Sequence, residues 1–108
     1  MTDSERKQQI DKIIMKIREQ QPRERFLYSM STGDKYELTY SNIVYTGSIH
    51  ARTRRPHGYG EFTYTYHEGT IDFAGYFNDG IIQGEGRMTF PDETRWAGVW
   101  ENGRLVIW

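Results

Sequence analysis

Hydrophobic positions follow one period at the start of the chain and another from residue 23 onward. Ile10, Ile13, Ile14 and Ile17 recur at helical spacing, with Arg6, Lys7, Asp11, Lys12, Arg18 and Glu19 mostly off that stripe. Thr2-x-x-Glu5 ahead of them reads as a capping box, and Pro22 behind them as a stop. The pattern predicts an amphipathic helix over residues 3–20, within an N-terminal segment of residues 1–22. The period then drops to two. Phe26, Tyr28 and Met30 alternate with polar residues, Ser31-Thr32-Gly33-Asp34 reads as a turn, and Tyr36, Leu38 and Tyr40 alternate again. Residues 23–44 are therefore predicted as a hairpin, a degenerate cap on whatever sheet follows.

From residue 45 to 108 the alternation becomes a repeat. Phe73, Gly75 and Phe77, followed by Gly80, Gly84 and Gly86, return 23 residues later as Trp96, Gly98, Trp100 and Gly103, and lie 28 residues after Tyr45, Gly47 and Ile49. A period of this length marks one supersecondary unit stacked on its copies. The spacing differs by five residues, and the extra ones fall between Gly47 and Gly58 and between Tyr64 and Phe73, where turns are expected to absorb them. Each unit reads as a β-hairpin, broken at Glu68-Gly69, Asn78-Asp79-Gly80 and Glu101-Asn102-Gly103. By parity, Tyr45, Phe62, Tyr64, Phe73, Phe77, Phe90, Trp96 and Trp100 share one face with the glycines, while Thr46, Glu61, Thr63, Glu85, Arg87 and Thr89 take the other. A ring can lie over a glycine of the neighbouring strand, so the pattern suits aromatic-over-glycine stacking.

These units resemble MORN (membrane occupation and recognition nexus) repeats, with residues Phe73 to Thr94 as the best match and about two and a half units in all. The resemblance implies a mainly β fold: a single-layer, twisted antiparallel β-meander of hairpins, here preceded by the amphipathic helix. Three departures stand out. Arg52 occupies a loop glycine position, Asp92-Glu93-Thr94 replaces Asp-Gly-Thr, and the third unit lacks its Gly-x-Gly. Glu93 is accordingly expected in a left-handed conformation, at a cost of roughly 1–2 kcal/mol.

Composition changes this picture little. With 108 residues there is room for one domain, and the absence of cysteine excludes disulfides and thiolate metal sites. No apolar run reaches the length of a membrane span, and a cytoplasmic protein is the default expectation. Charge is uneven: residues 1–60 carry eleven Lys/Arg against seven Asp/Glu, a balance of +4, and residues 61–108 three against eight, a balance of −5.

Four candidate surfaces follow. The eight rings above, more than one helix is expected to cover, form a partner-binding groove, because exposed apolar patches mark interaction sites. Ile10, Ile13, Ile14 and Ile17 form a docking face, either for the chain's own sheet or for a partner or second copy. Arg52, Arg54 and Arg55 with His57 form a basic loop that could grip phosphate or an acidic membrane surface. Leu105, Val106, Ile107 and Trp108 form an apolar edge strand expected to pair with a partner or a second copy in a homo-oligomer. His57-Gly58-Tyr59-Gly60-Glu61-Phe62-Thr63-Tyr64 has the outline of an RNA-binding strand, but Glu61 would repel phosphate and no helices alternate with the strands, so no nucleic acid is expected. No nucleophile is paired with a base, and no metal or cofactor site is expected. The sequence thus points to a non-catalytic docking module or structural subunit, with a phosphoinositide or acidic-membrane adaptor as the alternative. By resemblance alone, ciliary or cortical cytoskeletal structures are added to the expected locations.

Overall fold

The computed structural model describes residues 1–108. Its single helix, α1 (Asp3–Glu19), begins at the capping box read from the sequence: Thr2 Oγ1 accepts from the Glu5 N–H at 3.1 Å and Glu5 Oε1 accepts from the Thr2 N–H at 3.1 Å. Asp3 and Glu5 in the first turn and Lys16 and Arg18 in the last complement the helix dipole. Gln20, in an extended conformation, ends the helix just ahead of Pro22.

Eight strands follow: β1 (Arg23–Met30), β2 (Gly33–Tyr40), β3 (Ile43–Ile49), β4 (Pro56–Tyr66), β5 (Gly69–Asn78), β6 (Ile81–Thr89), β7 (Arg95–Glu101) and β8 (Arg104–Ile107). They form one open antiparallel sheet in sequence order, each strand paired to the next. The repeat is visible in the register. Gly47 faces Gly60, Gly75 faces Gly86, and the ladder shifts just beyond each of these pairs. The longer connection after β3 is a loop at residues 50–55, as expected, but the extra residues after Tyr64 do not all enter a turn. They lengthen the hairpin, adding the pairs Thr65–Thr70 and Tyr66–Gly69. Glu93 has φ +70°, as the missing loop glycine requires.

The glycines are matched to rings. A Cβ at Gly60 would collide with the Tyr45 ring, and one at Gly86 with the Phe73 ring. Each ring thus crosses diagonally over the glycine of the adjacent strand, and the Tyr45 hydroxyl is held in place by donating to Ser48 O at 2.6 Å. Gly98 differs from the expectation of a ring neighbour. Its Cβ would meet the backbone of Ile107 and Trp108, so the constraint there is the close approach of β8. The rings form a continuous row: Tyr45 packs on Phe77, Phe77 on Phe73, and Phe73 on Trp100, with centroids 5.3, 5.4 and 5.8 Å apart. Trp100 Nε1 donates to Gly86 O at 3.0 Å, so its buried polar atom is satisfied.

Helix α1 lies on this row. Ile10, Ile13 and Ile17 are fully buried with the rings in one core, and Ile14 packs on its margin. Burial of the three stabilises the fold by roughly 5–9 kcal/mol before the entropy of ordering the helix is counted. The helix is pinned along its length. Arg6 reaches Asp92 at 2.8 Å and Thr94 Oγ1 at 3.2 Å in the β6–β7 connection, Asp11 accepts from Arg104 at 2.9 and 3.0 Å, Arg18 donates to Asp79 O at 2.9 Å, and Gln20 accepts from Ser41 Oγ at 3.0 Å in the β2–β3 turn. Those anchors run from β8 to β2, so the helix crosses the strands instead of following one. Seventeen residues make about 25 Å of helix, and at about 4.8 Å per strand that spans about five spacings.

Candidate functional site

The crossing helix settles the fate of the predicted groove. Tyr45, Phe62, Tyr64, Phe73, Phe77, Phe90 and Trp100 are buried, and Trp96 is partly covered beside Phe90. The expectation of an open aromatic groove is therefore corrected: α1 fills it. The expectation went wrong because a helix laid along one strand would leave most rings bare, whereas one laid across the sheet covers a ring from each repeat. The guanidinium of Arg6 closes the remaining gap, sitting 5.4 Å from the Phe90 centroid and 5.8 Å from that of Trp96. Its partner Asp92 is held below the usual carboxylate range, first by hydrogen bonds from the Thr94 backbone and hydroxyl and then by Arg6. Arg6 carried no signal in the sequence beyond being a helix cation, since its partners on the sheet, Asp92 and Thr94, lie more than eighty residues away.

The basic loop is also engaged internally. Arg54 donates to both carboxylate oxygens of Glu24, at 3.1 and 2.6 Å, and its guanidinium lies 5.2 Å from the Tyr36 ring centroid. The bidentate bond raises the Arg54 pKa and lowers that of Glu24. Arg55 bridges Asp79 at 3.4 Å and the Arg18 carbonyl at 3.2 Å. The carboxyl of Asp79 is lowered chiefly by the Thr53 hydroxyl that donates to it. His57 Nδ1 accepts from the Asp79 N–H at 3.0 Å. Of the four predicted phosphate ligands, Arg52 alone keeps its side chain out of these contacts. As a correction, then, the loop is a clamp joining β1, the β5–β6 turn and the C-terminal end of α1, with its guanidiniums committed to the chain's own acceptors. No His, Asp and Glu side chains gather in a group that could hold a metal ion.

The apolar edge is exposed. Val106, Ile107 and Trp108 are 48, 63 and 88 % accessible, while Leu105 packs inward against the core. β8 has β7 as its one neighbour, so the backbone groups on its far side have no strand partner. The opposite edge, β1, also exposes Phe26, Tyr28 and Met30, but it is guarded. It carries Arg23, Glu24 and Arg25, the Glu24 and Arg25 side chains are paired to Arg54 and Glu37, and its ladder is broken between Phe26 and Tyr28. In β8 the single charge, Arg104, is turned back to Asp11 of α1.

A family model for the MORN repeat matches residues 55–65 and 73–95. The chain carries MORN repeats over these residues. The matched residues are β4 and the β5–β6 hairpin with the connection into β7, while the divergent first strand at Tyr45 and the incomplete third unit from Trp96 lie outside them or at their margin. No curated protein matches the chain. MORN repeats mark protein- or membrane-interaction modules and are generally non-catalytic. No helix here is long and apolar enough to cross a membrane.

Proposed function

We propose that this chain is a non-catalytic docking module that binds a protein partner by adding a strand to β8. The observation that carries this reading is the asymmetry of the two sheet edges. Natural sheets blunt their edges with charge, proline or a bulge. Both edge ladders shift register, β1 between Phe26 and Tyr28 and β8 opposite Val99 and Trp100, so charge is what separates them: β1 carries Arg23, Glu24 and Arg25, whereas β8 offers Val106, Ile107 and Trp108 with free backbone groups alongside. Strand addition draws affinity from main-chain hydrogen bonds and specificity from the side-chain pockets beside them. A membrane-adaptor role loses support because Arg54 and Arg55 are bound to Glu24 and Asp79.

Replacing both Val106→Lys and Ile107→Lys supplies the guard that β8 lacks. Because both side chains are exposed, the melting temperature is expected to stay within a few degrees of wild type. Affinity capture from an extract of the source cells should lose the proteins held by wild type. Retention of the same proteins by the doubly substituted chain would overturn the reading.

A further inference from the structure

A cleft of about 530 Å³ opens beside the free edge, between the N-terminal half of α1 and the β7–β8 hairpin. Its apolar lining comes from Ile10, Trp96, Leu105 and Trp108. Its charged lining is lopsided. Asp3 shares Arg6 with Asp92, at 2.9 and 2.8 Å, which leaves one net negative charge in that group, and Arg104 pairs with Asp11 at 2.9 Å, but Lys7 and Arg95 form no ion pair anywhere in the chain. Two exposed cations without an ion-pair partner therefore flank an apolar slot, next to backbone groups that await a strand.

We infer that the strand added to β8 is an acidic one, with an apolar side chain seated in the slot and carboxylates reaching Lys7 and Arg95. The inference rests on the strand-addition reading above and goes further by naming the partner's chemistry. An extended peptide on β8 directs alternate side chains to the face that α1 occupies, where Ile10, Trp96 and Leu105 would receive an aliphatic group. Carboxylates beside it would meet unpaired cations and pay no penalty for breaking an existing ion pair. Lysines in the same places would face like charge, which disfavours the wrong partner more than it costs the right one. A second copy of this chain is the poorer occupant. β8 carries Arg104 and no carboxylate, so the strand itself would bring a cation and no negative side chain to a second copy's slot.

The test uses the full chain and three fluorescein-labelled, acetylated octapeptides in which pairs of valines alternate with pairs of glutamates, glutamines or lysines, so that each face of the extended peptide carries both kinds of side chain, read by fluorescence anisotropy at low and moderate salt. The glutamate peptide should bind about tenfold more tightly than the glutamine peptide, and the lysine peptide least. Lys7→Glu/Arg95→Glu should abolish the preference for glutamate and leave glutamine-peptide binding in place, and added salt should erase the glutamate advantage. Equal binding of all three peptides, or a glutamate preference that survives the charge reversal, would overturn the inference while leaving strand addition intact. Failure of every peptide to bind, or binding unaffected by Val106→Lys/Ile107→Lys, would instead overturn strand addition and the inference with it. A dimer in sedimentation velocity that dissociates on Val106→Lys/Ile107→Lys would name the second copy as occupant and contradict the acidic partner.

Discussion

Ile13→Asp is expected to destabilise the protein by about 4 kcal/mol or more, because it removes a fully buried side chain and puts an unpaired carboxylate among rings. For a domain of this size that corresponds to a fall in melting temperature of roughly 15–30 °C. Ile13 sits at the middle of the stripe, with Ile10 and Ile17 on either side in the same core, so the carboxylate has no nearby path to water. Met15→Asp serves as the comparison. Met15 belongs to the same helix but is exposed, and its replacement should change stability by no more than about 0.5 kcal/mol. Thermal unfolding followed by circular dichroism separates the two. Near-equal melting temperatures would show that α1 does not pack on its own sheet.

Gly60→Ala is the second large effect, expected to cost about 2–3 kcal/mol although it adds one methyl group. The added Cβ falls within the Tyr45 ring, and that ring has little freedom to withdraw. Its hydroxyl is bonded to Ser48 O, its edge rests on Phe77, and burial pushes its pKa upward. Moving it would disturb the row that continues through Phe73 to Trp100. Glu61→Ala, one residue on and facing outward, should be nearly neutral. Urea unfolding of the two variants gives the comparison directly. A stable Gly60→Ala protein would mean that the glycines serve turn geometry and not the seating of rings.

Much of this architecture was legible in the sequence because its signals are local and periodic. The two-residue alternation with paired glycines predicted the strands and their faces, and the structure adds the register that sets Gly47 opposite Gly60 and Gly75 opposite Gly86. The capping box and Pro22 bounded α1 to within a residue. Glu93 in a left-handed conformation followed from the missing loop glycine. What escaped was the direction in which α1 crosses the sheet. That direction is set by contacts distant in sequence, Arg6 with Asp92, Asp11 with Arg104 and Gln20 with Ser41, none of which leaves a periodic trace. Without that direction, the sequence implies an open groove where the structure has a covered one. The basic loop misled for a related reason: Glu24 and Asp79, which take up Arg54 and Arg55, lie 30 and 24 residues away. The edge strand was legible as an apolar run, but the cleft beside it, made from α1 and β7 as well as β8, was not.

Amide hydrogen exchange on the full chain, alone and with the glutamate–valine peptide, tests most directly whether α1 seals the aromatic face and leaves β8 as the place of association. An isolated helix of this length barely holds in water, so protection of α1 must come from the sheet beneath it. The amides from Ile10 to Ile17 should exchange as slowly as those of β4 to β6, and the β8 amides faster. Peptide addition should slow exchange in β8 and leave α1 unchanged. Exchange of α1 at the rate of a free peptide, or a bound peptide that releases α1 while β8 stays unprotected, would contradict the account.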